Sequence, residues 1–354
     1  MPPTRRSRRF FVRATGCASG GSTAPSSTPS ARRCPTGVPA GDLVIRILDP
    51  GPQTTVQDLG RTGQMRYGIP PSGPMDRFAF VVANRLVGNA DGAAALECTL
   101  VGPRFDVDAP GAMAVTGADM PLTVNGEEAL RWATIALKAG DVVKLGPART
   151  GVRSYIAVAG GVDVPLVLGS RATYIRGRLG GVEGRALRKG DALRVVPSGV
   201  ARPRRVERRA IPDYAGESAI RVVLGPQADR FTDAGIRALL GGPYEVLPQS
   251  DRMGARLRGS RVEHARGHDI ISDGIALGSI QVPGDGQPIV LLVDRQSTGG
   301  YTKVATVCSC DVGRVGQARP GQSLRFQAVG VTEAHRLLRE SDAVLEAAVR
   351  EETA

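Results

Sequence analysis

Short apolar runs separated by turn residues dominate the pattern of hydrophobic and polar positions along this chain. Residues 289–293 read IVLLV, lie between Pro288 and Asp294, and predict a short buried strand. The segments ALRVVPS and IRVVLGPQ have the same character and predict further strands. Many short strands between turns favour a β-rich architecture over a helical bundle.

Two segments have the length and pattern of helices instead. Residues 78–87 form an apolar segment of helical length, and either Ser72 or Asp76 is placed to cap its first turn. A structural role for these two residues therefore competes with a functional one. Residues 332–350 mix apolar positions with charges and predict an amphipathic terminal helix that packs on a surface.

Turn-rich segments divide the chain into two β-rich units. We predict an N-terminal domain over residues 42–197, a Pro/Arg-rich linker over 198–217, a C-terminal domain over 218–330, and a terminal helix and tail over 331–354. Residues 1–41 include the twin-arginine-like SRRFFVR but lack the apolar core of an export signal, so we expect a disordered leader.

Composition excludes several classes of function. The 46 glycines and 25 prolines agree with a turn-rich β fold. A net charge of +12 attracts nucleic acid in principle, but much of the positive charge lies in the leader and linker, and one Trp, six Tyr and seven Phe offer no stacking platform. We therefore expect no nucleic-acid partner. No run approaches the roughly 18 apolar residues of a membrane span, and five cysteines without a repeated spacing fit the cytoplasm.

Two polar clusters are candidates for a site. The first contains Gln57, Asp58 and Arg61 and continues into a Pro/Gly-dense loop over residues 68–74. The second follows the strand at 289–293 and places a carboxylate, a guanidinium, an amide and hydroxyls before two glycines, where a backbone can approach a ligand closely. A polar hairpin is the structural alternative for this second cluster. The similar residue choice in the two clusters favours a shared site.

Familiar catalytic motifs are absent from the sequence. There is no phosphate-binding G-x-x-x-x-G-K-[ST] loop, no G-x-S-x-G elbow and no H-E-x-x-H helix. His264 and His268 are separated by a segment containing Gly267, so two exposed loop histidines are expected rather than a helical metal pair. Without an obvious nucleophile, the remaining chemistry is that of carboxylates, amides, hydroxyls and arginines.

Several blocks closely resemble the biotin-dependent carboxyltransferase family. They are QDLGRTG, GIPPSGPMDRFAFVVANRLVGN, ALECTLVGP, SYIAVAGGVDVPLVLGSRATY, SDRMGARLRG and the run QVPGDGQPIVLLVDRQSTGGY. The family holds the C-type subunit of the bacterial ATP-dependent 5-oxoprolinase, allophanate hydrolase subunit 2, the antagonist of a sporulation kinase inhibitor, and the carboxyltransferase domain of urea carboxylase. The resemblance covers residues 43–330 and implies a mainly β protein of two cyclophilin-like β-barrel domains with a few short helices.

The resemblance implies the activity of a C-type 5-oxoprolinase subunit. This hydrolase subunit would help to phosphorylate and open the lactam of 5-oxoproline, giving glutamate, together with A-type and B-type partner subunits. ATP with Mg²⁺ would come from the partner complex. Two alternatives stay open: a carboxyltransferase component of a urea carboxylase or allophanate hydrolase system, and a non-catalytic antagonist of a kinase inhibitor. No M-K-M carrier motif is present, so any biotin would be attached to another polypeptide.

The resemblance also implies a set of site residues, with a small lactam or amide as ligand. Carboxylates would contact the metal or the lactam N–H, arginines would face phosphates, and backbone amides near the glycines would form an anion nest. The catalytic candidates are Asp58, Asp76 and Asp294. The binding candidates are Arg61, Ser72, Gly73, Arg252, Gln281, Arg295, Gln296, Thr298, Gly299, Gly300 and Tyr301.

Three further residues have two interpretations each. Arg171 and Tyr174 line the same cleft or pack at a strand end. Glu97 lies among apolar neighbours in ALECTL and is either a paired buried carboxylate or the polar face of an alternating strand.

Overall fold

A computed structural model describes residues 43–198, 201–216 and 219–351. The predicted leader, residues 1–41, lies outside the described residues, as do parts of the predicted linker and tail. Strands outnumber helices throughout, and the predicted mainly β fold with few helices is confirmed.

Short strands follow one another from residue 44 to residue 195. They are β1 (Val44–Asp49), β2 (Thr54–Gln57), β3 (Ala95–Thr99), β4 (Arg104–Val107), β5 (Gly111–Gly117), β6 (Leu122–Val124), β7 (Glu127–Glu128), β8 (Thr134–Leu137), β9 (Val142–Leu145), β10 (Arg153–Val158), β11 (Val162–Asp163) and β12 (Ala192–Val195). The remaining strands are β13 (Arg204–Val206), β14 (Ile220–Leu224), β15 (Tyr244–Val246), β16 (Gly254–Arg258), β17 (Asp269–Gly274), β18 (Ser279–Gln281), β19 (Ile289–Leu291), β20 (Thr298–Tyr301), β21 (Lys303–Val307), β22 (Ser323–Leu324), β23 (Phe326–Ala328) and β24 (Val349–Glu351). The helices are α1 (Arg77–Leu86), α2 (Asp233–Gly241), α3 (Val312–Gln317) and α4 (Val331–Ala347).

Two antiparallel sheets enclose the first core. One has the strand order β11-β12-β1-β4-β9-β6-β7 and the other the order β2-β3-β10-β5-β8. Ile45, Phe105, Val115 and Ile156 are fully buried within this core. Strand β10, in the middle of the second sheet, is buried along its whole length, which explains its largely apolar sequence.

Helix α1 packs on a second, smaller core beside strands β5 and β10. Phe80 is fully buried there and meets Tyr155 edge to face, with ring centroids 5.9 Å apart. The Asp76 side chain accepts a hydrogen bond from Ala79 N at 3.1 Å and caps the helix. Of the two predicted capping residues, Asp76 is therefore the one that caps the helix.

The second half of the chain forms an eight-stranded sheet of order β22-β15-β16-β19-β18-β21-β14-β23. Its core contains Val222, Leu257, Val290 and Val304. Strand β19 covers the first part of the predicted strand at 289–293. Met75, from the loop before α1, also packs into this core, so the loop preceding α1 is fixed by both halves of the chain.

The predicted linker and terminal helix meet in a small additional sheet. Strand β13 pairs with β24, with Val206 opposite Val349. The terminal helix consequently ends at Ala347 rather than at residue 350, because the chain then pairs as a strand. The linker sequence did not predict a strand, because the strand with which it pairs lies at the far end of the chain.

Strands β17 and β20, with β18 and β19 between them in sequence, form a separate two-stranded ribbon that pairs with no other strand of the described chain. Ile271 on this ribbon is 94% exposed. Among the helices of the described residues, none combines the length and the apolar composition needed to cross a bilayer.

Candidate functional site

The two polar clusters of the sequence meet in space. Ser72 N, in the loop before α1, donates to the carbonyl of Val293 at 3.2 Å, at the end of the apolar run that begins in β19. Arg252 Nη2 donates to the carbonyl of Gly73 at 2.7 Å in the same loop. The site therefore forms where the loop before α1 lies against the end of this run.

A buried ion network links three distant segments. Arg252 pairs through Nε with Asp294 Oδ2 at 2.9 Å and through Nη1 with Glu97. Exposure of these residues is 6% for Arg252, 5% for Asp294 and 2% for Glu97. Burial alone would lower the pKa of Arg252, but the charges of Asp294 and Glu97 outweigh it and raise that pKa. Arg252 is thus a permanent cation that organises the site.

Glu97 is a paired buried carboxylate, which settles the two interpretations of its position. Its Oε2 accepts hydrogen bonds from Met75 N at 2.9 Å and from the Tyr155 hydroxyl at 2.8 Å. Tyr155 lies directly opposite Glu97 across strands β3 and β10, and its hydroxyl accepts from Asp76 N at 2.8 Å. Burial, with Glu97 next, raises the pKa of Tyr155 far above its usual value, so the hydroxyl keeps its proton.

Arg61 is buried without a full set of partners. Its side chain is 1% exposed, one nitrogen donates to the carbonyl of Ala172, and Nε and Nη1 have no partner among the described residues. Burial lowers the pKa of Arg61, and the nearby charges of Asp58 and Asp294 oppose that shift. Unpaired N–H groups on a buried guanidinium are costly, so this residue is a candidate anion receptor.

Asp58 holds the loop that carries Arg61. Its Oδ1 accepts from Gly60 N at 2.8 Å and from the Ser170 hydroxyl at 2.6 Å, while Oδ2 accepts from Arg171 N at 2.5 Å. Both carboxylate oxygens are therefore engaged within the protein. A catalytic role for Asp58 stays a prediction, and its contacts indicate that it positions the loop.

Ser72 combines strain with an unused hydroxyl. Its φ is +56°, in the left-handed region that non-glycine residues seldom adopt, and its buried Oγ has no partner among the described residues. Strained backbone of this kind is often retained at functional sites. The Gly60 Cα faces this loop so closely that an added Cβ would lie 2.7 Å from the carbonyl oxygen of Pro71.

Arg295 is another buried arginine, and no carboxylate of the described residues lies within ion-pair distance of it. It donates to the carbonyl of Ile275 at 3.1 Å, to that of Leu292 at 3.3 Å and to Met65 Sδ at 3.6 Å. Burial lowers the pKa of Arg295. Burial also raises the pKa of Tyr174, followed by the charge of Asp294. The charge of Asp294 therefore affects the Tyr174 hydroxyl. The Arg171 guanidinium instead lies near Asp163 and the carbonyl of Val164.

The remaining binding candidates lie around the ribbon of β17 and β20. Gln296 Nε2 donates to Gln281 Oε1 at 3.4 Å, and Gln281 Nε2 donates to the carbonyl of Tyr301 at 3.4 Å. A Cβ added to Gly299 would lie 2.7 Å from Gln281 Nε2, so this glycine permits the close approach. Thr298 and Gly300 belong to the same strand, and the side chain of Thr298 is exposed. These residues form a polar surface next to the buried Arg295.

Asp76 lies behind this site, where it joins both halves of the chain. Besides capping α1, its Oδ2 accepts from the Tyr214 hydroxyl at 2.6 Å and from Gln317 Nε2 at 3.0 Å. Gln317, on α3, also accepts from Arg153 N at 2.8 Å. These contacts account for Asp76 as a structural group, and its catalytic role stays a prediction.

Substitution of Asp76 gives a first prediction. We expect Asp76→Ala to lower the free energy of unfolding by about 2–4 kcal/mol, because the cap and two further buried partners are lost together. Thr232→Ala is the matched control: Thr232 caps α2 through Gly235 N at 3.0 Å, and its loss should cost about 1 kcal/mol. Urea denaturation of both variants measures the difference; equal losses would contradict a joining role for Asp76.

The described residues contain no group of three or more His, Cys, Asp or Glu side chains arranged to hold a metal ion. His268 is only partly exposed, with 44% of its side chain accessible, and pairs with Asp269 at 2.8 Å. The exposed position predicted for His264 is wrong: it is half-buried and stacks on Phe231 with ring centroids 4.6 Å apart. The apolar face of Phe231 was not apparent from the polar sequence around His264.

Sequence reasoning missed several residues of the network, namely Tyr155, Arg153, Gln317 and Tyr214. A signal existed for the first of these, because Tyr155 is a polar-tipped residue that begins the apolar run YIAV of its strand. The others had no local signal, since their partners lie more than a hundred residues away along the chain.

Comparison with known proteins places this geometry in a family context. The sequence model of the family described as "Carboxyltransferase domain, subdomain A and B" matches residues 67–328. The chain is 36% identical to the C-type subunit of the Escherichia coli K12 5-oxoprolinase, over 82% of this chain and 93% of that protein. It is 34% identical to the urea amidolyase of Saccharomyces cerevisiae, over 85% of this chain but 17% of that protein.

Solved structures give the same picture. The crystal structure of the K. lactis urea amidolyase aligns with a TM-score of 0.82 and 32% identity, over 88% of this chain and 20% of that chain. The crystal structure of the Kluyveromyces lactis urea carboxylase also aligns with a TM-score of 0.82, over 29% of that chain. This chain therefore spans about a fifth to less than a third of these two structures.

Proposed function

The chain belongs to the family of the carboxyltransferase domain, subdomains A and B, and from that premise we propose that it acts as the C-type subunit of an ATP-dependent 5-oxoprolinase. In this reaction the amide oxygen of the lactam attacks the γ-phosphorus of ATP, and water then opens the phosphorylated ring to give glutamate. The ring C–N bond breaks and ADP and phosphate leave.

One observation carries this proposal. The match to the C-type 5-oxoprolinase subunit of Escherichia coli extends over 93% of that protein, whereas the match to the yeast urea amidolyase is confined to 17% of that protein. The C-type 5-oxoprolinase subunit of Haemophilus influenzae matches over 97% of its own length at 33% identity. The chain thus resembles a separate subunit over nearly the full length of that subunit.

Within the site, we assign the stabilisation of negative charge during the reaction to the arginines. Negative charge is carried by the oxygens of the transferred phosphoryl group, and preorganised N–H donors stabilise such charge strongly in a dry site. Arg61 offers two unpartnered nitrogens, and Arg295 is buried without a carboxylate among the described residues within ion-pair distance. Asp294 stays in position through Arg252 and could accept the lactam N–H.

Partners and ATP are part of the same proposal. The relatives are named as subunits, and we propose A-type and B-type partner subunits for this chain. The described side chains do not fit a metal site, since both Asp58 oxygens are engaged and no suitable cluster occurs. We therefore derive no step through Mg²⁺ on this chain and place the metal–ATP complex on the partners. Free Cys98, Cys308 and Cys310 fit action in the reducing cytoplasm.

A second candidate is carboxyl transfer in a urea carboxylase system. The observation that favours it is the TM-score of 0.82 to the Kluyveromyces lactis urea carboxylase over 88% of this chain. Biotin would then arrive on another polypeptide, because the four lysines lack a carrier motif.

Reconstitution tests the proposal. We expect ATP-dependent conversion of 5-oxoproline to glutamate when this chain is mixed with its A-type and B-type partners, and loss of that conversion when this chain is omitted. The control replaces the partners with a biotin carboxylase, biotin carrier, urea and bicarbonate. Turnover of 5-oxoproline that does not depend on this chain, together with carboxylation of urea in the control, would reject the first proposal in favour of the second.

A further inference from the structure

Lys303 is a buried cation outside the ion network described above. It lies on β21 and is 3% exposed. Its Nζ is 3.2 Å from Asp273 Oδ2, but it makes no hydrogen bond of good geometry to any described residue. Because a buried ammonium needs about three hydrogen-bond acceptors, Lys303 is incompletely satisfied by the protein itself.

The carboxylate beside Lys303 belongs to a weakly held element. Asp273 lies on β17, its side chain is 54% exposed, and the ribbon of β17 and β20 pairs with no other described strand. Ile271 on this ribbon is almost fully exposed to solvent. Elements with few buried contacts open at low free-energy cost, so this carboxylate can be displaced far more easily than Lys303.

Amide side chains lie on the same face of the sheet as Lys303 and at its backbone. Gln281 lies directly opposite Lys303 across strands β18 and β21, so the two side chains share one face. Gln227 Oε1 accepts from Lys303 N at 3.2 Å, and Gln296 contacts Gln281. A cation next to amides that both donate and accept matches a small molecule that has a carboxylate next to an amide.

We propose that Lys303 anchors a carboxylate subsite beneath the ribbon of β17 and β20, and that the Asp273 carboxylate occupies this subsite until a ligand carboxylate replaces it. The ligand class is a small amide with an adjacent carboxylate, oriented by Gln281 and Gln296. This inference deepens the proposed function and rests on it, because 5-oxoproline has this combination of groups. Displacement of Asp273 would also release the ribbon from its ion pair.

Two variants should act in opposite directions. Calorimetric titration of the full chain with 5-oxoproline should show Lys303→Met weakening binding by about tenfold or more, because one charged contact is lost. Asp273→Asn should strengthen binding several-fold, because the competing carboxylate is gone. The same ring without the carboxylate, 2-pyrrolidinone, should bind both variants and the wild type alike. Lys189→Met, which removes an exposed lysine, controls for the change in net charge.

The outcomes separate the subsite from the proposed function. If both variants weaken binding of 5-oxoproline equally, or if Lys303→Met leaves the affinity unchanged, the ion pair is purely structural and the inference is overturned. Failure of the wild-type protein to bind any carboxylate ligand would overturn it as well. If Lys303→Met fails to fold, the affinity gain in Asp273→Asn decides alone. If the two variants change the affinity for allophanate in opposite directions and the protein does not bind 5-oxoproline, the subsite is supported and the 5-oxoprolinase proposal is rejected. Normal turnover of 5-oxoproline by the reconstituted complex containing Lys303→Met would reject the subsite alone.

Discussion

We expect Arg252→Met to lower the free energy of unfolding by about 3–5 kcal/mol, because it leaves the buried Asp294 carboxylate without its cation and leaves Glu97 with only the more distant Arg153, at 3.9 Å. Glu97 and Asp294 are each at most 5% exposed, and Arg252 bonds to both. Methionine fills a similar volume, so a cavity contributes little to the loss. The carbonyl of Gly73 also loses its donor, which loosens the loop before α1.

A surface arginine provides the matched control for this loss. Arg258 pairs with Glu245 at 2.7 Å, with side chains 65% and 37% exposed. Exposed ion pairs contribute little, so Arg258→Met should change stability by about 1 kcal/mol or less. Urea denaturation followed by circular dichroism compares the two variants, and similar losses would show that the buried network is not a main source of stability.

A double variant tests the cause of the destabilisation. If the cost comes from an uncompensated carboxylate, neutralising Glu97 in the Arg252→Met background should recover part of it. We expect Arg252→Met with Glu97→Gln to be more stable than Arg252→Met alone by about 1–2 kcal/mol. Tyr155 and Met75 can still donate to the amide oxygen of a glutamine at position 97. A further loss in the double variant would point to packing instead of charge.

Local features of the fold were predictable from sequence. The apolar run at 289–293 and the capping position of Asp76 are read within a few residues, and both correspond to observed elements, β19 and the N-terminus of α1. Helix α1 was predicted over 78–87 and lies over Arg77–Leu86. Such features depend on hydrophobic period and on a local side-chain to backbone hydrogen bond, which a single sequence contains.

Long-range pairing was not predictable in the same way. Arg252 and Glu97 are 155 residues apart in sequence, and nothing near either residue names the other as its partner. The linker strand β13 and the terminal strand β24 are separated by a similar distance, so one appeared as a linker and the other as part of a helix. Resemblance named Arg252 and Asp294 as site candidates, but only the fold showed that they bond to each other.

The same limit applies to what each candidate does. A carboxylate next to glycines has the same appearance in sequence whether it binds a ligand or closes a turn. Asp58 and Asp76 use their oxygens within the protein, whereas Arg61 and Ser72 each keep polar atoms that have no partner among the described residues. Whether a polar atom is already satisfied depends on the folded surroundings, and this property separates positioning residues from those free to meet a ligand.

Substitution of Arg61 is expected to have the largest effect on activity. We expect Arg61→Met to reduce turnover of 5-oxoproline in the reconstituted complex by about 100-fold or more, since it removes preorganised donors from a dry site. The same change should leave the free energy of unfolding equal or higher, because Arg61 is 1% exposed and two of its nitrogens have no partner among the described residues. The carbonyl of Ala172 loses one hydrogen bond, which limits the gain.

Arg185→Met supplies the opposite pattern as a control. Arg185 bonds through two nitrogens to Asp191, at 2.7 and 2.9 Å, so its loss should lower stability and leave turnover close to that of the wild type. Steady-state kinetics and thermal unfolding of both variants form a crossed comparison. Replacement of a buried arginine that has a structural role lowers the stability of the protein. Replacement of one that binds a ligand lowers activity instead, and it removes an unpaired buried charge from the protein. Unfolding of Arg61→Met at a much lower temperature, with turnover falling only in proportion, would assign Arg61 to the first class.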